Sequence, residues 1–196
     1  MFKSLQWKLV TVSVLLVLAI SIVAGTFLVL RVSDYYQNMF ADEMASTFTP
    51  EFVRYMEKSS EDDDFFIQNT MPMYASQLGI DFYRNYYIVN ADNHIVLSGT
   101  AEATSDVFVD SENFITALTG QVGNKTDLRQ PFMDYAHPIR TVSGMQIIYI
   151  KDTKDELKQV IYYILEITIQ AMILGVIISV LMGYFFREQL QHRFPT

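Results

Sequence analysis

Two long apolar blocks without a charged residue constrain this chain more than any other feature. The first runs from Leu9 to Leu30, 22 residues, and the second runs from Ile167 to Phe186, 20 residues. A helix of about 20 apolar residues, at about 1.5 Å per residue, matches the roughly 30 Å hydrocarbon core of a bilayer. The blocks therefore predict two transmembrane helices, over residues 9–30 and 164–186, because core helices of soluble proteins rarely sustain such long uncharged runs.

The length and the flanks of the first block predict whether it is cleaved and on which side of the membrane the N-terminus lies. The block exceeds the apolar length of about 7–15 residues typical of a secretory signal, and no small-residue cleavage site follows it, so we expect an uncleaved anchor. Lys3 and Lys8 precede the block whereas only Arg31 closely follows it, which favours a cytoplasmic N-terminus. We therefore expect a two-pass protein of the cell membrane with both tails, residues 1–8 and 187–196, in the cytoplasm.

The segment between the blocks is strongly acidic. From Arg31 to Val160 it holds 20 Asp and Glu against 10 Lys and Arg, a net charge of −10. Nucleic-acid binding is disfavoured, because phosphate contacts require clustered Lys and Arg. The chain has no Cys, which excludes disulfides and thiolate metal sites. Residues 31–160 are therefore expected to form an acidic extracytoplasmic domain that does not bind nucleic acid.

Helical periodicity continues beyond the first block. Apolar residues at helical spacing extend the first helix to about Phe48, and Thr49-Pro50 predicts a new helix with Thr as N-cap and Pro at its first position. The run from Ser59 to Asp63 predicts the start of a further helix with acidic residues in its first turn. Pro72 is expected to interrupt that helix and Gly79 to end it.

The apolar period then changes to that of strands. Alternation predicts a first strand face formed by Ile80, Phe82, Tyr86 and Ile88, with Arg84 out of pattern. Turn-forming residues then separate three further strands and one short helix. These are expected at His94–Ser98 (strand), Glu112–Leu118 (helix), Phe132–Ile139 (strand) and Met145–Ile150 (strand). The order of elements predicts an α+β domain in which helices pack on a sheet.

Four stretches in this region carry a family resemblance: Tyr87 to Ser98, Ala117 to Gly120, Tyr135 to Ile139, and Ile147 to Asp152. Their order and spacing between two membrane helices resemble the extracytoplasmic PAS-like (Cache, or PDC) input domain of bacterial sensor histidine kinases. The cell-envelope sensors of Gram-positive bacteria are the closest likeness. The resemblance implies a PAS-like α+β fold, and a homodimer that meets through its entry, exit and transmembrane helices. It also implies an extracytoplasmic ligand (a small molecule, cation or peptide).

In such kinases the second membrane helix leads through a HAMP relay to the kinase core and its cytoplasmic response regulator. Gly183 to Arg187 resembles that junction, whereas Gln189 to Thr196 departs from the usual HAMP opening. Residues 187–196 are therefore expected to be a cytoplasmic stub at the position where a HAMP linker would begin. Three interpretations stay open: a truncated kinase, a complete membrane protein that regulates a partner kinase or envelope enzyme through its spans, and a chemoreceptor input region.

Catalysis within the chain is not expected. Histidine phosphotransfer uses a His closely followed by an acidic residue, and none of His94, His137 and His192 is followed by one. Residues 120–126 depart from the phosphate-binding loop in glycine spacing and in the residue before Lys. The sequence therefore predicts no cofactor and no catalytic residue, and the resemblance implies that the chain receives a signal.

An acidic run is the sharpest polar feature of the predicted domain. Glu61, Asp62, Asp63 and Asp64 offer carboxylate oxygens, which are the ligands that hard divalent cations prefer. The same run also fits a solvated turn at a helix start, where acidic residues favour the helix dipole. The sequence leaves both interpretations open.

A ligand pocket between the sheet, the short helix and the loop before it is implied by the PAS-like resemblance. Tyr135 and His137 share a strand face and are candidates to line it. Arg84, Arg129 and Arg140 are candidates to clasp a carboxylate through their planar guanidinium groups. For each residue the alternative is a core aromatic or a surface arginine.

Overall fold

The computed structural model describes residues 2–63, 65–92, 94–99, 111–126 and 130–193. The chain divides into two compact units, with boundaries after Ser33 and Glu156. We call the first the helix pair (α1 up to Ser33 with α5 from Leu157) and the second the sheet unit (34–156). The elements in chain order are α1 (Phe2–Thr47), α2 (Pro50–Ser60), α3 (Phe66–Tyr74), β1 (Arg84–Asn90), β2 (Ile95–Ser98), α4 (Glu112–Leu118), β3 (Met133–Thr141), β4 (Gly144–Asp152) and α5 (Asp155–Arg193).

Within the part of the chain that the structure describes, two helices are long and apolar enough to cross a membrane. They belong to α1 and α5, and in the most apolar stretch of each only 6% of the residues are buried. Apolar side chains left so open require a lipid or another apolar partner. The prediction of two apolar helices of membrane-spanning length is confirmed in length and composition.

Glycines bring the two helices of the pair close together. A Cβ added at Gly175 would lie 2.5 Å from Cγ1 of Val17, and one added at Gly183 would lie 2.2 Å from Cγ2 of Val10. At the other end of the pair, Gly25 lies against Thr168. Small residues that let two backbones approach are typical of helix packing in membranes.

The sheet unit contains a four-stranded antiparallel sheet with strand order β2-β1-β4-β3. Residues directly opposite one another in such a sheet project from the same face. Arg84 pairs with Asp152, which in turn pairs with Met133, and this row marks one end of the sheet. The opposite end carries Asn90, Gln146 and Ile139 in one row.

The two faces of the sheet carry separate cores. On one face, α1, α2, α3 and the residue after α1 bury large side chains against the strands, and these are Phe40, Met44, Phe48, Met56, Ile67 and Met71. On the other face, α4 packs Phe114 and Ala117 against Val89, Ala136, Ile147 and Tyr149. Each large apolar side chain buried in this way contributes about 1.5–3 kcal/mol to the free energy of unfolding. The α+β prediction is therefore confirmed, with helices on both faces of an antiparallel sheet.

Local chemistry explains the helix starts that the sequence predicted. Thr49 Oγ1 accepts a hydrogen bond from the backbone N–H of Phe52 at 3.3 Å, and Pro50 is the first residue of α2. Ser111 Oγ accepts one from the backbone N–H of Phe114 at 2.9 Å, which fixes the start of α4.

Three local predictions are wrong. The run from Ser59 to Asp63 does not begin a helix: Ser60 ends α2, and its hydroxyl donates to the Met56 carbonyl at 2.7 Å. Pro72 does not interrupt α3, which continues to Tyr74. The first strand begins only at Arg84, and Phe82 is 93% exposed. Asp81 explains this late start, because its Oδ1 accepts hydrogen bonds from the backbone N–H groups of Tyr83 and Arg84 and so forms a turn.

Candidate functional site

Tyr135 and His137 form a small polar pair among the apolar side chains of the core formed with α1, α2 and α3. Both side chains are buried, and Tyr135 Oη lies 3.0 Å from His137 Nδ1. The ring of Phe48, one residue past the end of α1, stacks on the His137 ring with centroids 5.1 Å apart. Burial lowers the pKa of His137 to about 4 and raises the pKa of Tyr135. Both side chains are therefore neutral at neutral pH.

The pair lies on the opposite face of the sheet from α4. Ala136, between them in β3, packs with Phe114 of α4, whereas Tyr135 belongs to the core formed with α1, α2 and α3. Successive strand residues point to opposite faces, so a pocket between α4 and the sheet would not be lined by Tyr135 or His137. That placement of the predicted pocket is wrong, and a role of the pair in ligand contact stays a prediction.

Arg84 is already paired inside the protein. Its side chain is 7% exposed, and its Nε donates to Asp152 Oδ2 at 3.0 Å. Its Nη1 donates to the Glu43 carboxylate and to the Leu78 carbonyl, the latter at 3.0 Å. With both carboxylates bound, Arg84 holds elements of this unit together, and its role in clasping a ligand carboxylate stays an untested prediction.

Arg84 and Arg140, the two candidate arginines that the structure describes, do not lie in one cluster. Arg140 is exposed in β3, and it lies on the face of the sheet opposite Arg84 because its cross-strand partner is Met145. Arg129 lies outside the described residues. The predicted carboxylate clasp is therefore not assembled from Arg84 and Arg140.

The acidic run occupies the turn between α2 and α3. Glu61, Asp62 and Asp63 are exposed, and Asp63 Oδ1 accepts a hydrogen bond from the backbone N–H of Phe65 at 2.9 Å. Asp64 lies outside the described residues. Among the side chains that the structure describes, no group of three His, Cys, Asp or Glu residues is arranged to hold a metal ion. The cation-binding hypothesis stays a prediction, and the observed contact of Asp63 is that of a turn residue.

A buried carboxylate beside α4 was not predicted from the sequence. Asp134 accepts hydrogen bonds from Asn113 Nδ2 at 2.8 Å and from Tyr149 Oη at 3.1 Å. Asn113 also exchanges hydrogen bonds with the backbone of Lys125, which ties the loop after α4 to the sheet. Burial and the Asp134 charge raise the pKa of Tyr149, so its hydroxyl remains a donor. In the sequence, the only signal for this site is Asp134, a polar residue within a strand. The pattern does not tell which face of β3 packs against which helix, so it does not show that Asp134 faces α4.

The joint between β4 and α5 is the second feature that the sequence did not reveal. Lys154 has a φ of 59°, which is unusual for a residue other than glycine, and it is 5% exposed. Two hydrogen bonds hold it there: its backbone N–H donates to Asp152 Oδ1 at 2.8 Å, and its Nζ donates to the Gln130 carbonyl at 2.8 Å. The backbone N–H of Thr153 donates to the Tyr83 carbonyl at 2.9 Å, so the joint is also tied to the loop before β1.

Comparison with known proteins yields no relative: no family model, curated protein or solved structure matches the chain.

Proposed function

We propose that this chain is the signal-receiving and transmembrane-relay region of a bacterial sensor histidine kinase. In this proposal the sheet unit is a PAS-like (Cache) sensor domain outside the cytoplasm, and α1 and α5 carry the two membrane spans. The chain acts as a homodimer, and a bound extracytoplasmic ligand changes the position of α5. A cytoplasmic kinase core then passes the signal to a response regulator.

One observation carries the proposal: both membrane-length helices continue without a break into the sequence of the sheet unit. α1 is a single helix from Phe2 to Thr47, and its last turns contribute Phe40 and Met44 to the core. α5 begins at Asp155, three residues after β4 ends at Asp152. A continuous helix transmits a displacement, whereas a flexible linker would absorb it.

A chimeric kinase tests the proposal. Residues 1–186 are fused to the HAMP, dimerisation and ATP-binding regions of a histidine kinase, and autophosphorylation is measured in proteoliposomes. Insertion of one to four alanines after Phe186 rotates everything downstream by about 100° per residue, so we expect output to vary with a period of about 3.6 residues. Equal output from all insertions, and from a fusion without residues 34–156, would contradict signal relay.

The rival with most support is a membrane-bound regulator that controls a partner through its helices. The exposed apolar surface of the helix pair favours it, because a partner helix could cover that surface as well as lipid. Co-purification of a kinase or envelope enzyme with the natural chain, lost when the exposed Ile177 and Leu181 are replaced by bulkier Trp, would favour the regulator. A chemoreceptor would instead be indicated by a methyl-accepting coiled coil on the cytoplasmic side.

A further inference from the structure

The buried guanidinium of Arg84 links α1 to the segment that connects β4 to α5. We call residues 152–156 the exit joint. Arg84 of β1 bonds Glu43 of α1 with one nitrogen and Asp152 of the exit joint with another, and its Cζ lies 5.0 Å from the centre of the Phe40 ring. Phe40 and Glu43 are three residues apart, so one face of α1 carries both of these contacts.

The exit joint is held in a conformation that its own sequence disfavours. A left-handed backbone is costly for a lysine, and it persists only where surrounding contacts impose it. Asp152 supplies one such contact, because its Oδ1 accepts from the Lys154 backbone while its Oδ2 accepts from Arg84. The hydrogen bond from Arg84 to Asp152 is therefore coupled to the backbone conformation of Lys154, because the same Asp152 carboxylate binds both.

The two carboxylates that Arg84 binds differ in their exposure to solvent. The Glu43 side chain is 33% exposed, whereas that of Asp152 is 13% exposed. Releasing Glu43 exposes its carboxylate to nearby water, whereas releasing Asp152 leaves a charge largely buried, which is costly. Breaking the contact between Arg84 and Glu43 therefore costs less free energy than breaking the contact between Arg84 and Asp152.

We propose that Arg84 is a latch between α1 and the exit joint, closed in this structure, and that release of Glu43 loosens Asp152 and lets Lys154 leave its left-handed conformation. The physiological meaning of the latch rests on the proposed signal relay, because α5 begins at the exit joint. The mechanical coupling itself does not depend on that function. With the latch open, residues 152–154 can adopt right-handed helical geometry, and α5 then starts up to one turn earlier.

Hydrogen–deuterium exchange of the full chain in nanodiscs, read by mass spectrometry, tests the coupling. The decisive variant is Glu43→Gln, which leaves the Arg84–Asp152 pair in place and keeps the size of the side chain. We expect faster exchange at the amides of residues 153–156, while the central β4 amides of Ile147 to Ile150 keep their protection. Glu51→Gln, an exposed change at the start of α2, is the matched control and should leave the exit joint unchanged.

A second variant, Arg84→Met, breaks both contacts and retains an apolar stem against Phe40. Exchange at the exit joint should then rise by roughly tenfold or more, because hydrogen bonds to charged groups are lost. Arg140→Met on the opposite face serves as its control. The latch is overturned if Glu43→Gln leaves the exit joint at its natural exchange rate, or if both variants raise exchange equally across β4 and the joint. Either result would leave the chimera test of signal relay unaffected.

Discussion

At the scale of single residues, His137 is a histidine whose surroundings favour one charge state. It is buried between the Phe48 ring and Tyr135, and burial holds its pKa at about 4, against 6.5 for a free histidine. Between these two pH values the unfolded chain binds a proton that the folded chain does not. Stability therefore falls as the pH is lowered from 6.5 towards 4, and it is restored above 6.5.

The size of this pH effect follows from the difference between the two pKa values. A His137 pKa of about 4 in the folded chain, against 6.5 in the unfolded chain, corresponds to about 3 kcal/mol of stability. We expect His137→Phe to flatten the stability of the full chain between pH 6.5 and 4, measured in detergent by urea unfolding and the near-ultraviolet dichroism of tyrosine. His94→Gln, at an exposed position, is the control and should keep the natural slope. A His137→Phe protein with an unchanged slope would show that another group causes the acid sensitivity.

The acidic turn gives a second prediction for individual side chains. Asp63 caps the turn before α3 through the Phe65 N–H, whereas Glu61 and Asp62 are exposed and make no such contact in the described hydrogen bonds. We expect Asp63→Ala to lower the free energy of unfolding by about 0.5–1 kcal/mol, as loss of one exposed hydrogen bond in a turn does. Glu61→Gln with Asp62→Asn should change it by a few tenths at most.

The cation-binding alternative makes the opposite forecast for the same variants. A divalent ion bound only to the folded protein would raise its stability, by about 2.7 kcal/mol at 100 times Kd. Millimolar Mg²⁺ or Ca²⁺ would then raise the melting temperature of the natural chain and not that of the Glu61→Gln, Asp62→Asn variant. We expect no difference between the two proteins, because the observed contact of Asp63, a hydrogen bond from the Phe65 N–H, is that of a turn residue.

At the scale of elements, the close contact of α1 and α5 is the most directly testable. An ideal Cβ at Gly25 lies 3.6 Å from the Cβ of Thr168. That separation suits a disulfide, whose Cβ atoms lie about 3.5–4.5 Å apart. Because the chain has no Cys, a Gly25→Cys, Thr168→Cys protein offers only this one pair.

We expect this double variant to form an intramolecular disulfide under mild oxidation, seen as a mobility shift that reductant reverses. The control pairs Ile22→Cys, at a side chain that is 58% exposed, with Thr168→Cys. Cross-linking of the control pair as fast as the Gly25 pair would contradict the packing of α1 on α5.

How far the sequence predicts the elements depends on whether local or distant residues decide each one. Thr49-Pro50 and Ser111 start their helices through bonds to backbone groups three residues away, and a local pattern reveals such bonds. Arg84 departs from the alternating apolar pattern because its partners, Glu43 and Asp152, are 41 and 68 residues away in sequence. The faces of β3 could not be assigned to particular helices for the same reason, and this misplaced the pocket of Tyr135 and His137.

At the scale of the whole molecule, the sheet unit has the cores and hydrogen bonds of an independent domain. It carries an apolar core on each face of the sheet, and the ion pairs of Arg84 with Glu43 and Asp152 and of Lys125 with Glu112 lie within residues 34–156. We expect residues 34–156 to fold when expressed without the helix pair, giving a circular dichroism spectrum of mixed helix and sheet and a cooperative thermal transition. A random-coil spectrum in dilute neutral buffer would contradict independent folding.

The proposed function requires the sheet unit to lie across the membrane from both tails. Two single variants report this position in a chain that has no other thiol: Ser143→Cys, in the exposed turn between β3 and β4, and Ser4→Cys, ahead of the first apolar block. Intact cells are treated with a membrane-impermeant maleimide, and the protein is then purified and its label measured. We predict that the Ser143→Cys protein is labelled in intact cells and the Ser4→Cys protein only after the membrane is permeabilised. Labelling of both variants, or of neither, before permeabilisation would contradict a two-pass protein that holds its sensor domain outside the cytoplasm.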